Sequence, residues 1–458
     1  MHHDKTQTHD ENSLSAEHEN LGMHKNIMYG LQHVLTMYGG IIAPPLIIGS
    51  AAGLDATEIG LLVAAALFVG GLATILQTIG FKNFGAKLPI VQGVSFAGVA
   101  TILAIVSTGS GLASAFGAVI VASVIGLLLT PFFAKIIRFF PPVVTGCVIT
   151  MIGISLIPVA IRWIMGGNPQ AANWGDPTNV GLAVLTLAIV IIFSMLQHQI
   201  LRRLAILIAI VLGTLFAYMT TGFADFSHVT TGAVFALPSF FHFGAPVFEF
   251  SAILAMVIVT LVIMTETTAD IIAIGEIVDT PIDAKRIGDG LRADMLSSAI
   301  SPIFGSFMQT AFAQNVGLVA ITGIKSRFVV ATAGCILIVL GLLPIVGRLV
   351  AAIPLPVLGG AGIVLFGTVA ASGIRTLAKV DYDNHKNLII VATSLAIGMI
   401  PIINHEFYAQ FPTWVKTLLH SGISSACLSA ILLNIIFNHL PFTKKTPNVT
   451  TLTVNSSH

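Results

Sequence analysis

The chain has 458 residues, of which 55% are hydrophobic and only 9% charged, with a mean hydropathy of +0.94. A soluble globular domain carries about a quarter charged residues, so that class is excluded, and a net charge of +1 without a basic cluster argues against a nucleic-acid partner. Apolar runs of about 20 residues, enough to cross a bilayer core as helix, recur along the chain, and the short alternating segments of a membrane β-barrel are absent.

In chain order, residues 1–24 are polar and lack the basic-then-apolar pattern of a cleaved signal peptide, which predicts a disordered cytoplasmic tail. Breaks at Gly, Pro and charge clusters place spans near 27–49, 57–80, 88–108, 112–134, 142–162, 179–198 and 203–221. A connector at 222–250 contains no Lys or Arg, and a second set follows near 251–274, 288–305, 309–323, 328–347, 353–376, 387–403 and 415–438. Residues 441–458 read as a second tail, whose sequons at Asn448 and Asn455 are chance if it lies inside.

The distribution of basic residues tests this count, because one mistaken span would flip every later loop. With the N-terminus cytoplasmic, all 21 Lys and Arg residues except Arg162, Arg348 and Lys416 fall on the inner side. Fourteen spans with both termini inside follow. Two groups of seven must start from opposite sides, so an inverted repeat is the expected architecture, with a binding site where broken helices meet near the midplane.

The third and tenth spans look broken in corresponding places. The third, "KLPIVQGVSFAGVATILA", has an extended-prone start, and the tenth, "SFMQTAFAQNVGLVAITG", is interrupted by Gln309, Thr310, Gln314, Asn315 and Gly317. Non-helical backbone at this depth is tolerated only when buried in protein or lining a cavity. The alternative is a pair of intact helices packed through small residues.

Several polar residues interrupt otherwise apolar segments. Glu266 and Asp270 stand at i and i+4 on the eighth span, so they share a helix face. A charged group at bilayer depth costs about 3 kcal/mol even on permissive scales, which favours a functional carboxyl such as a proton carrier over a structural one. Asp294, read at the start of the ninth span, is either a helix-start residue or a coupling group. His33 in the first span is a packing residue or a ligand. Gln314 and Asn315 offer donors and acceptors without charge, which suits a planar oxopurine or pyrimidine, and Phe96 could stack on its face. Cys147, Cys335 and Cys427 stand singly, and no His, Cys or carboxylate cluster has metal-ligand spacing.

The run "QNVGLVAITG", Gln314 to Gly323, resembles the signature of the nucleobase/ascorbate transporter family, and "GLQHVLTMYGG", "IPLPVLGGAGIVLFGTVAASGIR" and "LLHSGISSACLSAILLNIIFN" extend the likeness over the full length. The resemblance implies a core domain of residues 25–134 and 251–347, and a gate domain of 135–221 and 348–440. Short strands are expected in spans 3 and 10. It implies a homodimer in the cell inner membrane that moves substrate by an elevator-like shift of core against gate.

Carried across by motif, Glu266 looks like the acidic substrate-binding residue and Gln314 like its partner. Phe96, Ser95 and Ala313 complete the pocket, and Asn315 shapes it. Asp294 resembles the span 9 carboxylate important for function, and His33 a structural or affinity-tuning residue; with Glu266 and Asp270 these are the candidates for proton coupling.

Uracil permeases tend to have Glu where this chain has Gln314 and His where it has Asp270, so the xanthine and urate branch is favoured, while Ser95 leaves urate open. The expectation is proton-coupled uptake of xanthine, urate or both, with protons as the coupling ion and no other cofactor. The alternatives are a uracil or other nucleobase permease and, from a different class, an anion transporter, which would need a basic residue in the pocket. An enzyme would need a nucleophile beside a base, and no such spacing is present.

Overall fold

In a computed structural model, residues 16–107, 111–227, 229–230 and 233–439 are described. The C-terminal tail and most of the N-terminal one lie outside them. The first half contains α1 Met23–Ala51, α2 Ala56–Thr78, β1 Gln92–Val94, α3 Phe96–Ile105, α4 Gly111–Leu129, α5 Phe133–Ile136, α6 Pro142–Ile164, α7 Pro177–Met195, α8 Gln199–Arg203 and α9 Ala205–Thr220. The second contains α10 Phe250–Val278, α11 Ala284–Ile300, β2 Gln309–Ala311, α12 Ala313–Thr322, α13 Arg327–Gly341, α14 Pro344–Ala351, α15 Leu355–Leu377, α16 His385–Ile403, α17 Thr413–Leu419 and α18 Gly422–Asn434.

Among the described residues, nine helices are long and apolar enough to cross a membrane, or ten if α13 and α14, bent by 78° at their junction, form one span. This is a multi-pass membrane protein. The other expected spans fall short for separate reasons. The polar first half of α11 carries Lys285, Arg286, Asp289 and Arg292, and α9 has 16 residues. The helices α3 and α12 have 10 residues each, about 15 Å at 1.5 Å per residue, half of a bilayer core.

Each half-helix follows a three-residue strand, and the two strands pair antiparallel with Gly93 opposite Thr310. Ser95 N donates to Met308 O at 2.8 Å and Phe312 N to Val91 O at 3.0 Å, extending the ladder into both helix starts. The outer edges of so small a ribbon would leave N–H groups orphaned in an apolar interior. Helix hydroxyls take them instead. Thr74 of α2 accepts from Gln92 N at 3.0 Å, Ser298 of α11 from Gln309 N at 2.8 Å, and Thr267 of α10 from Ala311 N at 3.5 Å.

The helices pack in two neighbourhoods. Around the ribbon, α1 and α2 lie against α13, and α4 against α10 and α11; elsewhere α6, α7 and α9 lie against α15, and α16 against α18. Glycines permit the closest approaches. A Cβ on Gly71 of α2 would lie 2.5 Å from the carbonyl oxygen of Gly334 on α13, and one on Gly153 of α6 would lie 2.3 Å from the Ala370 nitrogen on α15.

One expectation needs correction. The tail predicted to be disordered over 1–24 is folded from residue 16: Ala16–His18 forms a 3-10 turn, and α1 already starts at Met23. Polar sequence here signals an interfacial contact rather than disorder. The Glu17 side chain, 2% exposed, accepts from Thr280 Oγ1 at 2.7 Å and pairs with Arg286 at 3.2 Å, and Ser326 Oγ donates to Glu19 O.

Gly334→Val should force α2 and α13 apart, because a Cβ there would lie 2.9 Å from both the Gly71 carbonyl oxygen and Ile75 Cγ1, and the backbone oxygen cannot swing aside. A loss of about 1–3 kcal/mol is expected for such overpacking. Thermal unfolding of the detergent-solubilised protein should show a lower midpoint, and an unchanged one would refute this packing.

Candidate substrate site

The start of α12 combines free backbone donors with a carboxamide. Its N-cap residue Phe312 supplies no side-chain hydrogen bond, and the N–H groups of Ala313 and Gln314 have no partner among the described residues. Such first-turn groups carry the positive end of the helix dipole and suit a ligand carbonyl or anion. Ala313 and Gln314 are both exposed. The Gln314 side chain lines a cavity of about 300 Å³ with Thr36 and Gly40 of α1, Arg203 of α8, and Leu365 and Thr368 of α15. Gly40 makes the room: a Cβ there would lie 2.8 Å from Gln314 Nε2 and 3.1 Å from the Phe312 ring.

The start of α3 is built differently. Ser95 is buried and its Oγ accepts from Ala97 N at 3.2 Å, so the side chain caps its own helix. Phe96, half-buried, meets Phe366 of α15 edge-on with ring centroids 6.1 Å apart, and Trp163 of α6 lies 6.4 Å beyond Phe366. Trp163 in turn lines a cavity of about 1090 Å³ at the end of the molecule that bears Arg162. The three rings thus run in series from the start of α3 to that cavity, which α3 also lines through Ala100, Leu103 and Ala104.

Glu266 does not share the Gln314 cavity. It is half-buried and lines a separate space of about 80 Å³ against Thr145, Val148 and Ile149 of α6 and Thr376 of α15. Asp270, one turn along α10, is also half-buried. The two expected binding residues therefore both border α15, Glu266 with α6 and Gln314 with α1, α8 and α9, but in separate spaces rather than across one common pocket.

Asp294 is not a helix-start residue. Asp283 caps α11, and Asp294 lies in the third turn because the polar stretch before it is helical too. Its carboxyl, 1% exposed, accepts from Thr267 Oγ1 and from Gln77 Nε2 at 3.1 Å. Gln77 also accepts from Ala86 N at 3.0 Å. Asp294 thereby joins α2, α10 and α11 behind the ribbon without facing either small cavity.

Asn315 is buried and does not line the Gln314 cavity. Its Nδ2 donates to His33 O at 3.0 Å and lies 3.1 Å from His33 Nδ1, which accepts in the tautomer protonated at Nε2. His33 and Asn315 therefore lock α12 to α1. Among the described residues no group of three His, Cys, Asp or Glu side chains could hold a metal ion.

Sequence reasoning missed Thr267, Gln77, Gly40 and Arg203. The position of Thr267 beside Glu266 in "TETTAD" was the one available signal, since hydroxyls inside apolar helices need a partner.

Residues 24–407 match the Xan_ur_permease model, described as Permease family. The chain belongs to this family of nucleobase/ascorbate transporters. The permease is 42% identical to the uric acid transporter UacT of Escherichia coli K12 over 90% of this chain and 86% of that one. It is 38% identical to the xanthine permease of Bacillus subtilis 168, over 93% and 96%. Among solved structures it resembles the transmembrane domain of the cyanobacterial bicarbonate transporter BicA, with a TM-score of 0.61 at 18% identity, covering 90% of this chain and 98% of that one. SLC26A9 gives 0.60 at 12% identity, over 91% and 66%. These two likenesses concern the fold alone.

Gly40→Ala should spare folding while displacing Gln314, since the obstructing atom is the end of a flexible side chain. Substrate uptake by the permease should fall at least about tenfold, roughly 1.4 kcal/mol, with little change in the unfolding midpoint. Uptake and melting measured on one preparation check both halves.

Proposed function

We propose that this permease takes up oxopurines, xanthine, urate or both, across the cell inner membrane in symport with protons. The observation that carries the reading is the start of α12, where the Gln314 carboxamide lines a cavity bounded by α1, α9 and α15 and the N–H groups of Ala313 and Gln314 have no partner among the described residues. An oxopurine edge alternates C=O and N–H groups. Backbone N–H groups can donate to a ring carbonyl, and a carboxamide can donate and accept at the neighbouring positions. The names of the relatives, uric acid and xanthine permeases, support this substrate class.

In this reading Glu266 accepts a ring N–H, Phe96 covers the base, and Ser95 and Ala313 form the backbone floor. Asn315 and His33 hold α12 in place, and Asp294 fixes the ribbon. Glu266 and Gln314 border separate cavities, so binding draws the gate-side helices inward until both meet the base. Proton binding to Glu266, Asp270 or Asp294 then removes a charge that would be costly to move uncompensated. The loaded ribbon, with α1–α4 and α10–α13, shifts as a core against a gate of α6–α9 and α15–α18, in a homodimer with both termini in the cytoplasm.

Initial uptake of radiolabelled xanthine and urate, with and without a protonophore, tests this directly. Proton symport requires the protonophore to abolish accumulation, and insensitivity would remove proton coupling from the proposal. Gln314→Glu should cost at least about tenfold in uptake, or redirect the competition profile, because a carboxylate keeps the acceptors and loses the amide donors. Unchanged uptake and competition would take Gln314 out of the site.

A further inference from the structure

Arg203 is the basic residue that lines the Gln314 cavity. It ends α8, just before α9, and lines the Gln314 cavity with Thr36, Leu207 and Thr368. Its Nη2 is buried with no hydrogen-bond partner among the described residues. Several basic groups on the same face are engaged, Arg286 with Glu17, Ala86 O and Lys87 O, Arg292 with Asp289, and Lys325 with Asp279, while Arg327 bonds Thr78 O and keeps a buried Nε without a partner, yet lines neither small cavity. Arg203 has no ion pair among the described residues, and no Asp or Glu lines its cavity.

A desolvated guanidinium nitrogen without an acceptor is expensive to leave unmet. The walls near it, Leu35, Ile206, Leu207 and Ile321, are apolar and cannot satisfy it. What fits is a small ligand that brings its own negative charge into the cavity. The same space holds the Gln314 carboxamide at the positive end of α12, so three features favour an anion that also has hydrogen-bonding edges: the helix start, the amide and the guanidinium.

We infer that Arg203 makes the basic-face end of the Gln314 cavity selective for the monoanionic form of an oxopurine. The inference rests on the purine reading and deepens it. Of the two candidate cargoes, urate is a monoanion at neutral pH, whereas xanthine just below neutrality is mostly uncharged. Arg203 therefore favours urate on the cytoplasmic side without excluding xanthine from the Glu266 and Phe96 groups.

The test uses inverted membrane vesicles, which present this face to the medium, with the full-length permease as wild type, Arg203→Gln and Arg203→Lys. Initial rates are measured for labelled urate and xanthine just below neutral pH. Arg203→Gln should raise the KM for urate about tenfold and leave that for xanthine within about twofold, and Arg203→Lys should recover most of the urate affinity. An equal rise for both purines, as a merely structural role would give, or no rise for either, overturns the inference. A wild type that carries xanthine but not urate overturns it while leaving purine transport standing. If urate alone is carried, recovery by Arg203→Lys supports it and failure to recover overturns it. A wild type that carries neither removes the purine reading itself, and this inference with it.

Discussion

Two short pieces of extended backbone in an apolar helical bundle must have every N–H and C=O group satisfied, and much of the architecture answers to that requirement. The strands β1 and β2 satisfy one another along their shared edge only. Their outward donors reach hydroxyls on α2, α10 and α11, so the placement of three helices is tied to the ribbon. Thr267 has a double part, accepting from Ala311 N and donating to Asp294, and Gln77 closes the circuit from α2. The buried carboxylate is thus a strut for the ribbon and, through it, for both half-helix starts.

Rigidity on either side of the cavities has a different origin. Backbone contact through Gly71 and Gly334, and through Gly153 and Ala370, leaves no side chain between the paired helices to rearrange. Between the two neighbourhoods, contact is made by side chains instead: Phe96 against Phe366, and the 3.2 Å hydrogen bond from Thr101 to Ser421. Side-chain contacts of this kind can be exchanged one for another more readily than interlocked backbone. The cavities that hold Glu266 and Gln314 lie on that more exchangeable surface.

Much of this was legible in the sequence, for reasons that also explain the rest. Long apolar runs and the segregation of Lys and Arg reflect the bilayer itself, so the spans could be placed. The two broken ones could too, because Pro89, Gly93 and the polar run at 309–317 conflict with a continuous apolar helix. Hydropathy fails where polar sequence is helical. It starts the ninth span near 288, which makes Asp294 look like a cap, whereas α11 begins at Ala284 through charged turns. It also merges α13 with α14, although Pro344 opens a new helix at a 78° bend. Arg203 was hidden for another reason: charge segregation assigns a basic pair to a face, but not to a cavity.

The two half-helix starts do not offer a ligand the same thing, and this asymmetry bears on how a base would be read. At α3 the Ser95 hydroxyl already accepts from Ala97 N, so its orientation is fixed by its own helix and one of its two lone pairs is used there. The adjacent Phe96 is held edge-on against Phe366 of α15. At α12 no side chain caps the helix, and the donors remain free beside a carboxamide. In the proposed oxopurine reading, recognition of the ring falls to α3 and recognition of the edge to α12. A substitution at position 95 would act mainly through the angle at which α3 presents Phe96, whereas one at position 314 would act on the hydrogen-bonding pattern itself.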